Sequence, residues 1–286
     1  MAQVFLPPKR ATFLFGKTLV ALGPLVLAMA CSYATSDLNK LHRSKKRGSY
    51  DKQMVADILD AAVIAHVAFV DAEGHVKVSP MIYGRKEEIL YIHGHVSAGL
   101  LRNGSVDVCF CVTLEDGLVL ARSGMHSSMN YRCVVVHGKA EEVLDAGKWD
   151  ALDIIVDHAA NQVGFSKESQ RPMTDAEVAS TRVLKLKLED GKVSAKWRAE
   201  GANDDKEDIE NPQLWAGIVP ITRVYGPAVN DVSLQNPKMQ PPLAVQNYPK
   251  FRSGQPHCIR EEKTGHFTLA ITLGVGFLIG IAISKR

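Results

Sequence analysis

Between residues 50 and 224 the chain is a succession of short apolar patterns whose period changes from helical to extended and back. From Tyr50 to Ala62 the apolar positions Met54, Val55, Ile58, Leu59 and Ala62 recur at three- and four-residue spacing, which predicts an amphipathic helix. Ala62 to Val70 then reads as a strand, Asp71-Ala72-Glu73-Gly74 as a turn, Val76 to Tyr83 as the partner strand, and Ile89 to His93 as a third. Ser97 to Arg102 predicts a short helix. Val108 to Leu114, the turn chemistry of Glu115-Asp116-Gly117 and Leu118 to Ser123 together predict a hairpin. A long strand follows over Arg132 to Val143, whose Val134-Val135-Val136 run implies burial on both faces. A helix over Lys148 to Ala160 comes next. Thr174, with Glu177 three places on, predicts a capping box. Val183 to Leu188 alternates as a half-exposed strand, Gly191 turns it into Val193 to Arg198, Ala202 to Asn211 reads as acidic and solvated, and the last strand lies in Trp215 to Val224. Short antiparallel strands at this spacing predict a mainly β, α+β domain, a barrel or a sandwich with peripheral helices, and exclude a βαβ sheet.

The two ends change the organisation. Residues 1 to 36 contain no acid, and Phe267 to Ile283 contains no charge. Phe267 to Ser284 would span ~27 Å as a helix at 1.5 Å per residue and is followed by Lys285-Arg286, the pattern of a C-terminal membrane anchor. The N-terminal apolar stretch, Leu19 to Cys31, is interrupted by Gly23-Pro24 and suits a targeting segment or, over Thr18 to Ser36, an anchor. Gly226 to Glu262 holds six prolines and reads as an extended linker. Four segments result: 1–36, a folded domain over 37–225, a linker over 226–264 and a transmembrane tail over 265–286. A net charge of +3 without a basic periodic face argues against nucleic acid. The basic run His42 to Arg47 is a solvated linker or a contact for anionic lipid.

Five cysteines, an odd number without CxxC spacing, disfavour a disulfide framework and point to a reducing compartment, the cytosol or an organelle. Cys109 and Cys111 share a strand face, with Cys133 on a neighbouring strand; they are small buried hydrophobes or, with His126 or His137, ligands of a metal. No GxGxxG, P-loop, HExxH or GxSxG motif occurs.

The run LVLARSGMHSSMNYR, residues 118–132, is accompanied upstream by Arg47-Gly48-Ser49-Tyr50-Asp51 and downstream by Trp215-Ala216-Gly217. Together these resemble the FMN-binding split-barrel family, in its flavin-nucleotide-binding branch, similar to pyridoxamine 5′-phosphate oxidase and the 5-nitroimidazole-resistance reductases. The similarity covers roughly Arg43 to Pro220. It implies a homodimeric split β-barrel with FMN between subunits. By this resemblance the flavin ring lies against Ser79, Met81, Tyr83, His93 and Gly94, the phosphate lies at the short helix after His93, and the loop from His126 to Asn130, with Ser127 and Met129, closes the pocket; His95 and Ser97 are the donors near that phosphate, and Arg122 and Arg132 are candidates to neutralise the phosphate or the reduced flavin. Read as residues alone, Ser79, Met81 and Tyr83 line a barrel, and Arg122 and Arg132 make surface ion pairs. His126, in a loop of Ser and Asn, is the candidate catalytic proton donor, since imidazole titrates near neutral pH. One departure stands out: where the family carries serine and arginine in its phosphate-binding helix, this chain has Ala98-Gly99. The expectation is a membrane-anchored FMN-dependent oxidoreductase moving a hydride between a nicotinamide-type donor and a small planar substrate. The alternative is a split-barrel binding module or scaffold that has lost flavin chemistry and holds a ligand such as haem.

Overall fold

The computed structural model describes residues 31–96, 99–101, 104–144, 146–166, 169–248 and 251–252. Helix α1 (Lys52–Ala61) starts where the Asp51 carboxylate accepts the Met54 backbone N–H at 2.7 Å, meeting one of the otherwise unpaired donors of the first turn. It seats Val55, Ile58 and Leu59 in the core, as their spacing predicts. A two-residue strand, β1 (Gly48–Ser49), precedes it, and the mainly β domain follows as β2 (Ile64–Val70), β3 (Val76–Lys86), β4 (Ile89–His95), β5 (Ser105–Leu120), β6 (Ser128–Glu142), β7 (Thr181–Lys187), β8 (Val193–Arg198) and β9 (Gly217–Pro220).

All pairings are antiparallel. The hydrogen-bonded order β6-β7-β4-β3-β2-β5 returns to β6 and closes a six-stranded barrel. Strand β6 changes partner along one edge: residues 131–136 pair with β8, and Glu141 and Glu142 pair with β7. The barrel is split at that change of partner. Inward-facing Val67, Phe69, Leu90, Ile92, Phe110, Val112, Val134, Val136, Leu184 and Leu186 fill the interior, one residue in two along each strand.

Helix α2 (Ala146–Ala160) lies outside the barrel on β3 and β4, in a smaller core with Val183 and Val178. Its close approach depends on Gly84, where a Cβ would stand 2.6 Å from the Ile154 carbonyl oxygen. Helix α3 (Asp175–Ser180) carries the predicted capping box between Thr174 and Glu177. The acidic segment 202–211 folds into a four-residue helix, α4 (Lys206–Ile209). Residues 31–36 are part of the same domain: Tyr33 is buried in the core and Ser32 bridges to Asp51. Within 226–248 a short helix, α5 (Leu243–Asn247), brings Ala244 beside Gly164.

The expected hairpin at Glu115-Asp116-Gly117 is absent. Strand β5 runs straight through these residues, and the register with β6 slips there, Glu115 facing Tyr131 and Gly117 facing Asn130. The turn-forming residues mark a β-bulge instead: Asp116 is the extra residue, and Gly117 admits the β9 backbone, where a Cβ would lie 3.1 Å from the Val219 carbonyl oxygen. The true β5–β6 connection is 121–127. Val135 is half-buried, so the Val134–Val136 run is sealed on its inner face alone. Of the short helix expected over Ser97 to Arg102, the described part is a single 3₁₀ turn, Gly99–Leu101. The expected membrane tail and most of the N-terminal apolar stretch lie outside the described residues, among which no helix is long and apolar enough to cross a membrane.

Candidate functional site

The residues expected to form one pocket fall into two groups. Ser79, Met81, Tyr83, His93, Gly94 and His95 stand on β3 and β4; Arg122, His126, Ser127, Met129, Asn130 and Arg132 stand on the β5–β6 arm and its 121–127 loop. Ser97 lies outside the described residues. His93 pairs with Val183 on β7, whose neighbour Leu184 pairs with Glu142 at the far end of β6. Arg132 is therefore about ten residues, or ~33 Å, along β6 from that point.

On β3 the alternation expected to point Ser79, Met81 and Tyr83 at a ligand points them inward. Tyr83 has no exposed surface; its hydroxyl donates to the Leu59 carbonyl and, at 3.2 Å, to that of Ala62, and its ring meets Phe110 edge-on. It is a core residue with no face for a cofactor, and burial pushes its phenol pKa up. Met81 packs against the same core, and Ser79 is half-buried. The outward face of β3 carries Val76, Val78, Pro80 and Ile82, and paired with it on β2 are Val70, Ala68, His66 and Ile64. Val76 is 76% exposed, Val78 59%, Val70 55% and Ile64 53%. Beyond β2 the same face continues to Cys109 and Cys111 on β5, opposite His66 and Ala68. A contiguous apolar surface of this kind marks a contact site.

His93 follows the Tyr83–Ile92 pair on β4, half-buried, and its Nδ1 is a buried ring nitrogen with no hydrogen-bond partner among the described residues. Desolvation lowers its pKa, so the ring is neutral at physiological pH and offers a hydrogen bond, not a charge. Gly94 is half-buried opposite Arg182, and His95 is exposed.

The arm residues are committed to one another. Arg132 makes a two-pronged pair with the bulge residue Asp116 at 2.9 and 2.7 Å. Asn130 is buried; its carbonyl oxygen accepts from Arg198 at 2.5 Å and from the Glu200 backbone N–H at 3.1 Å. The Ser127 hydroxyl accepts from the Ala121 N–H at 3.1 Å and closes the loop on itself; Met129 is half-buried opposite Leu118. Arg122 is paired with Asp204 at 3.0 Å.

Asp204 is the residue that sequence reasoning missed, hidden in an acidic run read as solvated. Its side chain is 1% exposed and accepts the Arg122 N–H at 3.1 Å, the Ser123 N–H at 3.5 Å and the Arg122 guanidinium. Burial alone would raise its pKa; the Arg122 and Ser123 donors outweigh that and hold it below the usual carboxylate range. His126 sits between carboxylates, Nδ1 3.6 Å from Asp204 and Nε2 4.0 Å from Asp205. Among the described residues, His126–Asp205–Asp208 and Asp71–Glu73–His75 are the groups whose ligand atoms could share an ion. The three cysteines on the sheet face do not form one.

A closed six-stranded antiparallel barrel split where β6 changes partner, with peripheral helices, is a split-barrel fold. The chain belongs to the pyridoxamine 5′-phosphate oxidase family, whose model matches residues 51–195. Among solved structures it is similar to the FAD and haem binding protein from Mycobacterium smegmatis, at 30% identity over 72% of this chain and 98% of that one, with a TM-score of 0.66. It is also similar to the flavocytochrome Anf3 from Azotobacter vinelandii, at 31% identity over 76% and 99%, with a TM-score of 0.66. A 5-nitroimidazole antibiotic resistance protein from Bacteroides thetaiotaomicron matches at 28% identity over 52% and 85%, with a TM-score of 0.42. Comparison with curated proteins found no match.

Proposed function

We propose that the protein is a membrane-anchored flavin-binding oxidoreductase, working as a homodimer whose subunits meet over the exposed β2–β3 face. The observation that carries this reading is the likeness, at 30 and 31% identity along almost the whole of each relative, to one FAD and haem binding protein and one flavocytochrome. The residues on that face fit a flavin on its ring side. Val78, Pro80 and Ile82 give a flat apolar bed, and the unpaired Nδ1 of neutral His93 gives a hydrogen bond for a ring heteroatom. The phosphate side is poorer, because Ala98-Gly99 supplies no side-chain donor. A bound flavin would exchange a hydride with a nicotinamide-type donor and a small planar substrate. The protein's own part is to bed the ring, hydrogen-bond it through His93 and, with a second copy over the face, keep water out. FMN is the smaller cofactor, and the Mycobacterium smegmatis relative is a FAD and haem binding protein, so both flavins belong in the test.

A second reading adds haem, on the strength of the same two relatives. A porphyrin needs an axial imidazole on an apolar surface, and His66, exposed between Pro80 and Cys111, is in such a place. The absorption spectrum of the full chain, purified in detergent and incubated with FMN or FAD, tests both. Two broad near-ultraviolet and blue bands that bleach on addition of reduced nicotinamide support the oxidoreductase reading, and a sharp Soret band adds haem. A protein that takes up neither FMN nor FAD overturns the flavin reading. Membrane anchorage is tested separately by a reporter fused to residues 263–286, which is expected in the membrane fraction.

A further inference from the structure

We propose that His126, Asp205 and Asp208 form a binding site for a divalent first-row transition ion, zinc or manganese, with Asp204 holding the imidazole from behind. The ligand atoms of the three residues lie within 4.8 Å of one another, from the loop 121–127, the N-cap position of helix α4 and α4 itself. Their pairwise arrangement is that of a metal-ligating histidine. Such a histidine gives one ring N–H to a carboxylate, which fixes its tautomer, and turns the other nitrogen's lone pair to the ion. Here Nδ1 faces the Asp204 carboxylate at 3.6 Å, too long for a hydrogen bond, and has no other partner among the described residues. A small tilt of the ring would complete that bond. Nε2 is thereby directed at Asp205 Oδ2, 4.0 Å away, a gap that an ion with ligand distances of ~2.1 Å bridges.

The supports are already fixed. Asp204 is held by Arg122 and Ser123, and those bonds anchor the loop that carries His126. Asp205, the residue preceding α4, makes no capping hydrogen bond, so its carboxylate is available as a ligand. The other cluster, Asp71–Glu73–His75, differs on this point: Asp71 is occupied by the Glu73 and His75 backbone N–H groups and by Lys77. One nitrogen and two carboxylate oxygens suit zinc or manganese and leave positions open to water or to an anionic ligand. The proposal does not depend on flavin binding.

The test is calorimetric titration of the full chain, stripped with EDTA, with Zn²⁺ and with Mn²⁺, Mg²⁺ serving as the control. One ion per chain is expected. Asp204→Asn should weaken it about tenfold to hundredfold, the usual cost of losing an orienting partner, and the double variant Asp205→Asn/Asp208→Asn should weaken it further. Melting curves of wild type and double variant in EDTA should coincide, since the Asp205 side chain caps nothing. Absence of stoichiometric binding of either ion to the wild type, or undiminished binding by the well-folded double variant, would overturn the assignment.

Discussion

The β2–β4 face and the β5–β6 arm both carry candidate binding residues, yet the arm pairs its charges internally while the face leaves its apolar strip uncovered. On the arm the charged and polar groups are paired internally, Arg132 with Asp116, Asn130 with Arg198 and Glu200, Arg122 with Asp204, and the unpartnered nitrogens there, His126 Nδ1 and the Nε atoms of Arg122 and Arg198, sit within that paired network. On the face a ring nitrogen is unpaired and a strip of valine and isoleucine is exposed. Side-chain type alone does not mark a site. What distinguishes the face is that its strip of valine and isoleucine is left uncovered among the described residues, with an unpartnered imidazole at its edge, and uncovered apolar surface is what a ligand or a second copy covers.

Six substitutions would break or sharpen this contrast. The largest effect is expected on the inward side of β3, where Tyr83→Ala should destabilise the domain by ~3–5 kcal/mol, read from denaturant unfolding, because it empties a fully buried aromatic site. Tyr83→Phe should cost about 1 kcal/mol for its lost hydroxyl bonds and leave flavin affinity unchanged; a large loss of affinity would return Tyr83 to the site. On the outward side Val78→Asp should weaken the dimer about hundredfold or more, since a buried unpaired carboxylate costs several kcal/mol. Equal oligomeric mass of variant and wild type in light scattering would remove the dimer reading.

Gly99→Arg should tighten FMN by roughly tenfold to hundredfold in fluorescence quenching, ~1.5–3 kcal/mol for a charge-assisted phosphate contact. A Cβ at Gly99 meets nothing within 4 Å, so the substitution is sterically open. On the arm, Arg132→Gln should cost ~1–3 kcal/mol of stability by leaving Asp116 without its partner, while flavin affinity stays within about twofold. An affinity loss comparable to that of a face variant would dissolve the contrast. The smallest effect concerns pH. Hydrogen bonding to Arg47, then Lys46, outweighs burial and lowers the Glu200 pKa from 4.5 to about 2. A depressed folded pKa gives stability that is present above 4.5 and lost as pH falls toward 2. Melting temperatures of wild type and Glu200→Gln should therefore differ at neutral pH and converge across that window.

The helix over 52–61, the capping box at Thr174 and the strands of the barrel were legible because each rests on a local pattern. The bulge was not, since Glu-Asp-Gly has the same chemistry whether it reverses a chain or lets it slip one residue; the difference lies in Arg132 and β9, which reach Asp116 and Gly117 from elsewhere in the sequence. The period-two pattern of β3 was visible while its direction was not. Only closure of the barrel decides that Tyr83 faces in and Val78 faces out. Asp204 had no local signal: its partners are Arg122 and Ser123, some eighty positions earlier.

Closure of the barrel also has a dynamic consequence. Strands β5 and β6 are joined along almost their whole length, whereas β6 and β7 meet through Glu141–Lys185 and Glu142–Leu184 alone, reinforced by the Arg182–Glu142 ion pair at 2.7 Å and the Val143-to-Val183 backbone bond. A wall with one short join opens there first, in the manner of a clasp. In amide hydrogen exchange the N–H group of Val143, which donates across the join to Val183, should lose protection well before those of Phe110 or Val134. Because His93 lies on the strand next to β7, each opening of the clasp would loosen the edge of the face on which the flavin is proposed to rest.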